Sequence, residues 1–129
     1  MSLKQFLISN AVLFVPFGLV MLAIPGLFFP MVGLDLDPDG ILMARVSGSG
    51  LLNFGIMCYL VRNENNASTG LKAILIGNLI FHGLDAISTF IASFSGVMNT
   101  LGWLFCGLHF ILAIGFLFFL QKLKVPKIA

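Results

Sequence analysis

The chain has 129 residues, of which 59% are hydrophobic and only 9% are charged, whereas about a quarter of the residues of a soluble domain are charged. A soluble fold of this length covers itself with polar side chains, so this composition argues against one and indicates a single transmembrane domain over residues 1–129. The net charge of +2 is small, and the basic residues form no stripe with interleaved aromatic residues. These features exclude nucleic acid as a partner.

Four apolar stretches follow one another along the chain, at residues 5–29, 41–61, 71–94 and 98–120. Each is close to the ~20 residues that cross the hydrocarbon core of a bilayer. Lipid offers no hydrogen-bond partner to an exposed backbone, and four strands are too few to close a barrel, so the spans must be helices. The sequence therefore predicts an all-α fold, an integral membrane four-helix antiparallel bundle whose partner is the lipid bilayer.

The first stretch contains two prolines, Pro16 and Pro25. Each removes a backbone hydrogen bond and crowds the preceding turn of a helix. We expect the helix to break near Ile24-Pro25-Gly26. The residues from Leu27 to Val32 should then continue at the membrane interface instead of through the core.

Alternating carboxylates precede the second stretch, at Asp35, Asp37 and Asp39. They resemble the first half of an EF-hand calcium loop, but the twelfth position of that loop is Val46 instead of a glutamate. Asp37 capping a helix that begins at Pro38 explains the same residues. We therefore predict a helix start here and no metal site.

The charges of the loops predict the orientation in the membrane. Basic residues gather at one end of the predicted bundle, at Lys4, Arg62, Lys72, Lys122, Lys124 and Lys127, and the three aspartates lie at the other. Because short cytoplasmic segments are rich in Lys and Arg, both termini are predicted to be cytoplasmic, in a bacterial inner (plasma) membrane.

Small residues mark the second stretch, where Ala44 and Gly48 are four apart within a Ser/Gly-rich run. Such spacing lets another helix approach closely. The neighbouring helix belongs to this bundle, to a second copy in a homo-oligomer, or to a membrane partner, and the sequence leaves these alternatives open.

Four ionisable side chains, Arg45, His82, Asp85 and His109, lie well inside the predicted spans. Groups of this kind indicate a functional site by default because burying them in lipid is costly. Helical spacing places each on a polar or small face of its helix. These faces are Arg45, Ser49 and Asn53; Asn78, His82, Asp85 and Thr89; and Gly102, Cys106, His109 and Ala113. We expect the faces to meet around a cavity whose ligand-binding residues are Arg45, Asn53, Asn78, His82, Asp85 and His109. The alternative is that the same groups only fix helix register.

Two histidines are predicted to lie at the same depth in the membrane. His82 and His109 each lie eleven residues from the same predicted membrane surface, counted from Ser93 and Met98. Two imidazoles at one depth are suited to haem ligation or, with a neighbouring carboxylate, to proton transfer to a quinone or a transported substrate. Arg45 is long enough to reach Asp85, and we expect the two to form an ion pair.

The string Arg45-Val-Ser-Gly-Ser-Gly-Leu-Leu-Asn-Phe-Gly55 resembles the Arg/Gly-rich second helix of the DoxX-like superfamily of small four-helix membrane proteins. The resemblance is especially to the poorly characterised branch of that superfamily, and it extends to chain length and helix count. It implies a membrane redox or accessory role, since named members include a quinone-reducing thiosulfate oxidoreductase subunit and many others have no assigned activity.

These features favour a binding or accessory module with a polar pocket that opens on the non-cytoplasmic side. Two alternatives stay open: a redox subunit that binds quinone or haem through His82 and His109, and a proton-coupled transporter. The sequence contains no hydrolase motif such as Gly-x-Ser-x-Gly or His-Glu-x-x-His. A stand-alone enzyme is therefore disfavoured, and no catalytic residue is assigned.

Overall fold

A computed structural model of the protein describes residues 1–123. Within that range the chain forms five α-helices and one 3₁₀ turn: α1 Leu3–Ala23, α2 Pro25–Phe28, the turn Phe29–Val32, α3 Pro38–Leu60, α4 Thr69–Phe94 and α5 Leu101–Gln121. Helices α1, α3, α4 and α5 are long and apolar enough to cross a membrane. The predicted all-α, integral membrane four-helix bundle is confirmed.

The four spans run antiparallel, which gives the bundle two chemically different ends. One end, formed by the start of α1 and the end of α3, carries Lys4 and Arg62 and is called here the basic end. The opposite end carries Asp35, Asp37 and Asp39 and is called the acidic end. Two of the lysines used to predict the orientation, Lys124 and Lys127, lie outside the described residues.

The first helix stops where the prolines predict. Helix α1 tolerates Pro16 in its interior but ends at Ala23, and Pro25 occupies the first turn of α2. Residues 25–34, called here the strap, then run across the acidic end of the bundle. Asn99 ties the strap to the α4–α5 loop, since its backbone N–H donates to Val32 O and its Nδ2 to Met31 O, both at 2.9 Å.

Helix α3 begins three residues earlier than the apolar stretch because its first turn is capped. Asp37 Oδ1 accepts a hydrogen bond of 2.7 Å from the backbone N–H of Gly40, and Pro38 takes the first helical position. A cap of this kind satisfies one of the orphan amides of the first turn. The predicted role of Asp37 as a helix cap is confirmed.

The small-residue face of α3 packs against α1, so the close neighbour is a helix of the same chain. Ala44, Gly48 and Gly55 are buried in this contact. A Cβ atom placed on Gly48 would lie 2.9 Å from the backbone oxygen of Gly18. Only glycine at this crossing allows the two backbones to come so near.

Helices α4 and α5 form a second closely packed pair, and aromatic rings hold the two pairs together. The Phe6 ring of α1 lies 4.8 Å from the ring of Phe116 and 5.0 Å from that of Phe119, both on α5. Leu7, Leu71 and other fully buried side chains complete this core near the basic end. The bundle is thus two hairpins, tight within each pair and spaced by large side chains between pairs.

Candidate functional site

A cavity of about 480 Å³ lies between the two hairpins in the half of the bundle nearer the acidic end. Its walls come from the C-terminal halves of α1 and α4, the strap, the middle of α3 and the N-terminal half of α5. Most of the lining is apolar and aromatic, and it includes Phe17, Phe28, Phe81 and Phe105. The polar lining residues are Ser47, Asp85, Ser88, Thr89 and His109.

The cavity opens between α3 and α4. These two neighbours make few close backbone contacts along their length. Ser47 of α3 and Ser88 of α4 line the cavity and are both exposed. Both helices are long and apolar enough to cross a membrane, so an opening between them would face lipid.

The two histidines meet directly at the inner wall of this cavity. His82 Nδ1 and His109 Nδ1 are 2.8 Å apart, which is a hydrogen bond between rings on α4 and α5. His82 is completely buried and its ring packs against Phe14 and Phe116, with centroids 4.9 and 5.7 Å away. The sequence-based expectation that the two histidines lie level is confirmed, with His109 on the cavity wall and His82 behind it.

Asp85 extends this pair into a chain of three ionisable groups. Its Oδ2 lies 3.8 Å from His109 Nδ1, and its side chain is 38% exposed at the cavity. The ion pair that we expected between Arg45 and Asp85 is wrong, because Arg45 lies on the exposed outer face of α3. Within residues 1–123, the basic side chain within 4.0 Å of Asp85 is that of His109 alone.

The contact between the two rings fixes how protons can be arranged. A neutral imidazole carries one proton on one of its two nitrogens, so a hydrogen bond between two Nδ1 atoms requires one ring to donate and the other to accept. When His109 donates, the same proton also faces Asp85 Oδ2, and His82 carries its proton on Nε2, which has no partner among the described residues. When His82 donates, its buried Nε2 is a bare acceptor and His109 carries its proton on Nε2.

The remaining predicted ligand-binding residues lie away from the cavity. Asn78 is buried one turn towards the basic end from His82, where its Nδ2 donates to Ile74 O at 2.9 Å and its Oδ1 faces the Cys58 thiol. Arg45 and Asn53 are exposed on the outer face of α3. The expectation that this polar face turns towards the other helices is wrong, because α3 uses its small residues to pack and its polar residues therefore point outwards.

The aromatic part of the lining was not predicted from the sequence. Phe17 belongs to α1 and Phe28 to the strap, and their rings pack edge to face at 5.3 Å. Phe105 of α5 joins the same cluster. With 14 phenylalanines in the chain, spacing along one helix does not separate those that line a cavity from those that face lipid.

The two histidines do not fit axial ligation of a haem. Axial ligation places the iron and its macrocycle between two imidazoles, each about 2 Å from the metal, whereas here the Nδ1 atoms are already in hydrogen-bond contact at 2.8 Å. Over the described part of the chain, no group of three or more His, Cys, Asp or Glu side chains has a spacing that would hold a metal ion. Both cysteines in this part are free thiols.

Comparison with known proteins gives no relative, since no family model, no curated protein and no solved structure matches this chain. The proposals that follow therefore rest on the cavity and on the residues that surround it.

Proposed function

We propose that this chain is a membrane-embedded binding module for a small amphipathic molecule that enters its cavity from the lipid phase. The observation that carries the proposal is the combination of an aromatic cavity of about 480 Å³ with the Asp85–His109 pair on its wall. Ligand sites in proteins are mostly apolar and use a few convergent polar groups to orient the ligand.

The lining specifies the chemistry of such a ligand. An apolar or ring-shaped body fits against Phe17, Phe81 and Phe105, and the polar part of the molecule meets His109 and Asp85. Because Nδ1 of His109 is held by His82, the ring offers a ligand only its Nε2, as a donor or as an acceptor, and a carboxylate accepts. The matching group is a hydroxyl, carbonyl or amine on a membrane-soluble molecule, because a fully ionic ligand would not partition into lipid beside the opening.

Blocking the cavity tests this proposal. Gly50 lines the cavity and has open space around the position of a Cβ atom, so Gly50→Phe would place a ring in the cavity without forcing backbones apart. The protein would be purified from its native membrane in a mild detergent, and retained small molecules would be extracted with solvent and identified by mass spectrometry. We expect a compound that is stoichiometric with the wild-type protein and lost from Gly50→Phe.

Gly83→Phe is the matched control. Gly83 also has open space around its Cβ position, but it lines a separate apolar groove of about 450 Å³ on the outer surface of α4 and α5. A compound that depends on the cavity is lost from Gly50→Phe and kept by Gly83→Phe. Equal retention by both variants, or the same lipids in all three preparations, would argue against a ligand in the cavity.

Proton-coupled chemistry is the second candidate, and the chain Asp85–His109–His82 favours it. Hydrogen-bonded titratable groups inside a membrane are typical of proton relays. A quinone carbonyl beside His109 would accept a hydrogen bond from the ring, and a transported substrate would exchange a proton with the same group. Extraction of a quinone from the purified protein would support a redox subunit, and pH-dependent uptake into vesicles would support a transporter. Either activity should be abolished by Asp85→Asn.

We also propose the orientation and the family. The basic end lies in the cytoplasm of a bacterial inner membrane, a proposal supported by Lys4, Arg62, Lys72 and Lys122 at that end. Membership of the DoxX-like superfamily is supported by the second-span string and the four-helix count. Reporter fusions at the described ends of α3 and α4 test the orientation, since only a loop outside the cytoplasm activates a periplasmic reporter.

A further inference from the structure

The outer face of α3 carries a regular seam that no other helix within residues 1–123 covers. Its residues are spaced alternately four and three apart, and all are exposed: Leu42, Val46, Ser49, Asn53, Ile56 and Leu60. This is the spacing of the a and d positions of a heptad repeat, which brings one helix face against a parallel partner. The opposite face of α3 is already buried against α1.

Asn53 is the residue of the seam that lipid cannot accommodate. It lies seven residues before Leu60, which is about 10 Å inside the end of the helix at the usual rise per residue. Among the described residues, none forms a hydrogen bond with its side-chain amide. Both the donors and the acceptor of the amide would have to be buried in hydrocarbon without partners, which is costly.

Arg45 and Ser49 on the same side of α3 do not pose this problem. Arg45 lies at a similar distance from the opposite end of α3, but its long side chain can extend to the membrane surface. Ser49 Oγ donates to Val46 O of its own helix at 2.7 Å. The side chain of asparagine is too short to reach the surface, so the amide of Asn53 requires a partner within the membrane.

We propose that a second copy of this chain covers the seam, forming a parallel dimer through α3. All copies of a membrane protein insert in the same orientation, so a twofold axis along the membrane normal places the second copy's Asn53 at the same depth as the first. A primary amide has both donors and an acceptor, so two of them satisfy each other across such an axis. A single asparagine at an a position is a known determinant of a parallel two-helix register.

The dimer leaves the cavity accessible. Ser47 lines the cavity opening from a different face of α3, and the seam residues point away from that opening. The proposed dimer and the proposed ligand site are therefore independent, and either can be disproved without the other.

Cysteine cross-linking in lipid vesicles tests the contact. In a Cys106→Ala background that keeps the buried Cys58, a thiol is introduced at the seam by Val46→Cys or Ile56→Cys and oxidised. The matched control is Leu84→Cys on α4, which is 59% exposed compared with 57% for Val46. We expect disulfide-linked dimers from both seam variants and none from the control. Equal cross-linking at Leu84→Cys, or none at the seam, would overturn the proposal.

The role of the amide is tested by the strength of association. Asn53→Leu keeps the size of the side chain and removes its hydrogen bonds, and Asn53→Gln keeps an amide. Energy transfer between labelled copies in vesicles of varied protein-to-lipid ratio measures the association constant. We expect Asn53→Leu to lower this constant about tenfold, the order found for interhelical polar contacts in membranes, and Asn53→Gln to lower it less. Wild-type protein that stays monomeric would contradict the dimer, and Asn53→Leu that associates as tightly as wild type would contradict the role of the amide in it.

Discussion

Replacing one glycine at the crossing of α1 and α3 should loosen the first hairpin. A Cβ atom added at Gly18 would lie 2.6 Å from Leu52 N and 2.7 Å from Gly48 O, and both of these are backbone atoms that cannot rotate away. Ordinary contact begins near 3.4 Å, so the two helices must separate by about 0.8 Å over this stretch. Overpacking of this kind costs about 1–3 kcal/mol, which outweighs the gain of about 1 kcal/mol that alanine brings to a helix interior.

Gly50→Ala on α3 is the control for this prediction, because a Cβ atom at Gly50 has no neighbour within 4 Å. The free energy of unfolding in mixed micelles, measured by circular dichroism as the denaturing detergent is increased, compares the two variants. We expect Gly18→Ala to be less stable than wild type and Gly50→Ala to be as stable or slightly more so. Equal stability of Gly18→Ala and Gly50→Ala would refute the close backbone contact.

Three further predictions test the site and the strap. His82→Phe should destabilise by about 1–3 kcal/mol, because it removes the hydrogen-bond partner at 2.8 Å from the part-buried Nδ1 of His109. His109→Leu added to it should restore part of the loss, as found when both partners become apolar. Unfolding curves of the single and double variants measure this, and a double variant less stable than the single would contradict it. The effects of Arg45→Met and Asp85→Asn on the free energy of unfolding should be additive within about 0.5 kcal/mol, since the two groups form no pair. A larger coupling energy in a double-mutant cycle would indicate that the two side chains do form an ion pair. Asn99→Ala removes a side-chain hydrogen bond to the strap, which costs about 1 kcal/mol. Amide hydrogen exchange within residues 25–34 should therefore become faster. Unchanged exchange would show that the strap is held by other contacts.

The origin of the cavity lies in how the two hairpins are held apart. Within each hairpin, glycines and other small residues bring the backbones together, whereas between hairpins the rings of Phe6, Phe116 and Phe119 act as spacers. Near the basic end these rings, with Leu71 and Leu75, fill the space. Towards the acidic end the two hairpins remain equally far apart, and the strap covers that end of the bundle. The volume left unfilled between the hairpins is the cavity.

The sequence predicted individual contacts on α4 and α5 better than those on α3. His82 and His109 were matched by counting residues from one membrane surface, which works because regular helices such as α4 and α5 rise by the same distance per residue. Helix α3 offered two competing faces, a polar one and a small one, and spacing alone does not rank them. In lipid the hydrophobic effect does not favour burying one of these two faces over the other. The closer backbone contact therefore decided that Gly48 faces α1 and Arg45 faces outwards.

The amino-acid sequence by itself determined the membrane environment, the number of spans, the break after Ala23 and the cap at Asp37, because each of these depends on a short stretch of chain and on its own backbone hydrogen bonds. Only the tertiary structure decided which polar side chains share an interior and which face the bilayer. That choice depends on the rotation of each helix about its axis, and the rotation is set by contacts between residues far apart in the chain, such as Gly18 with Gly48 and His82 with His109.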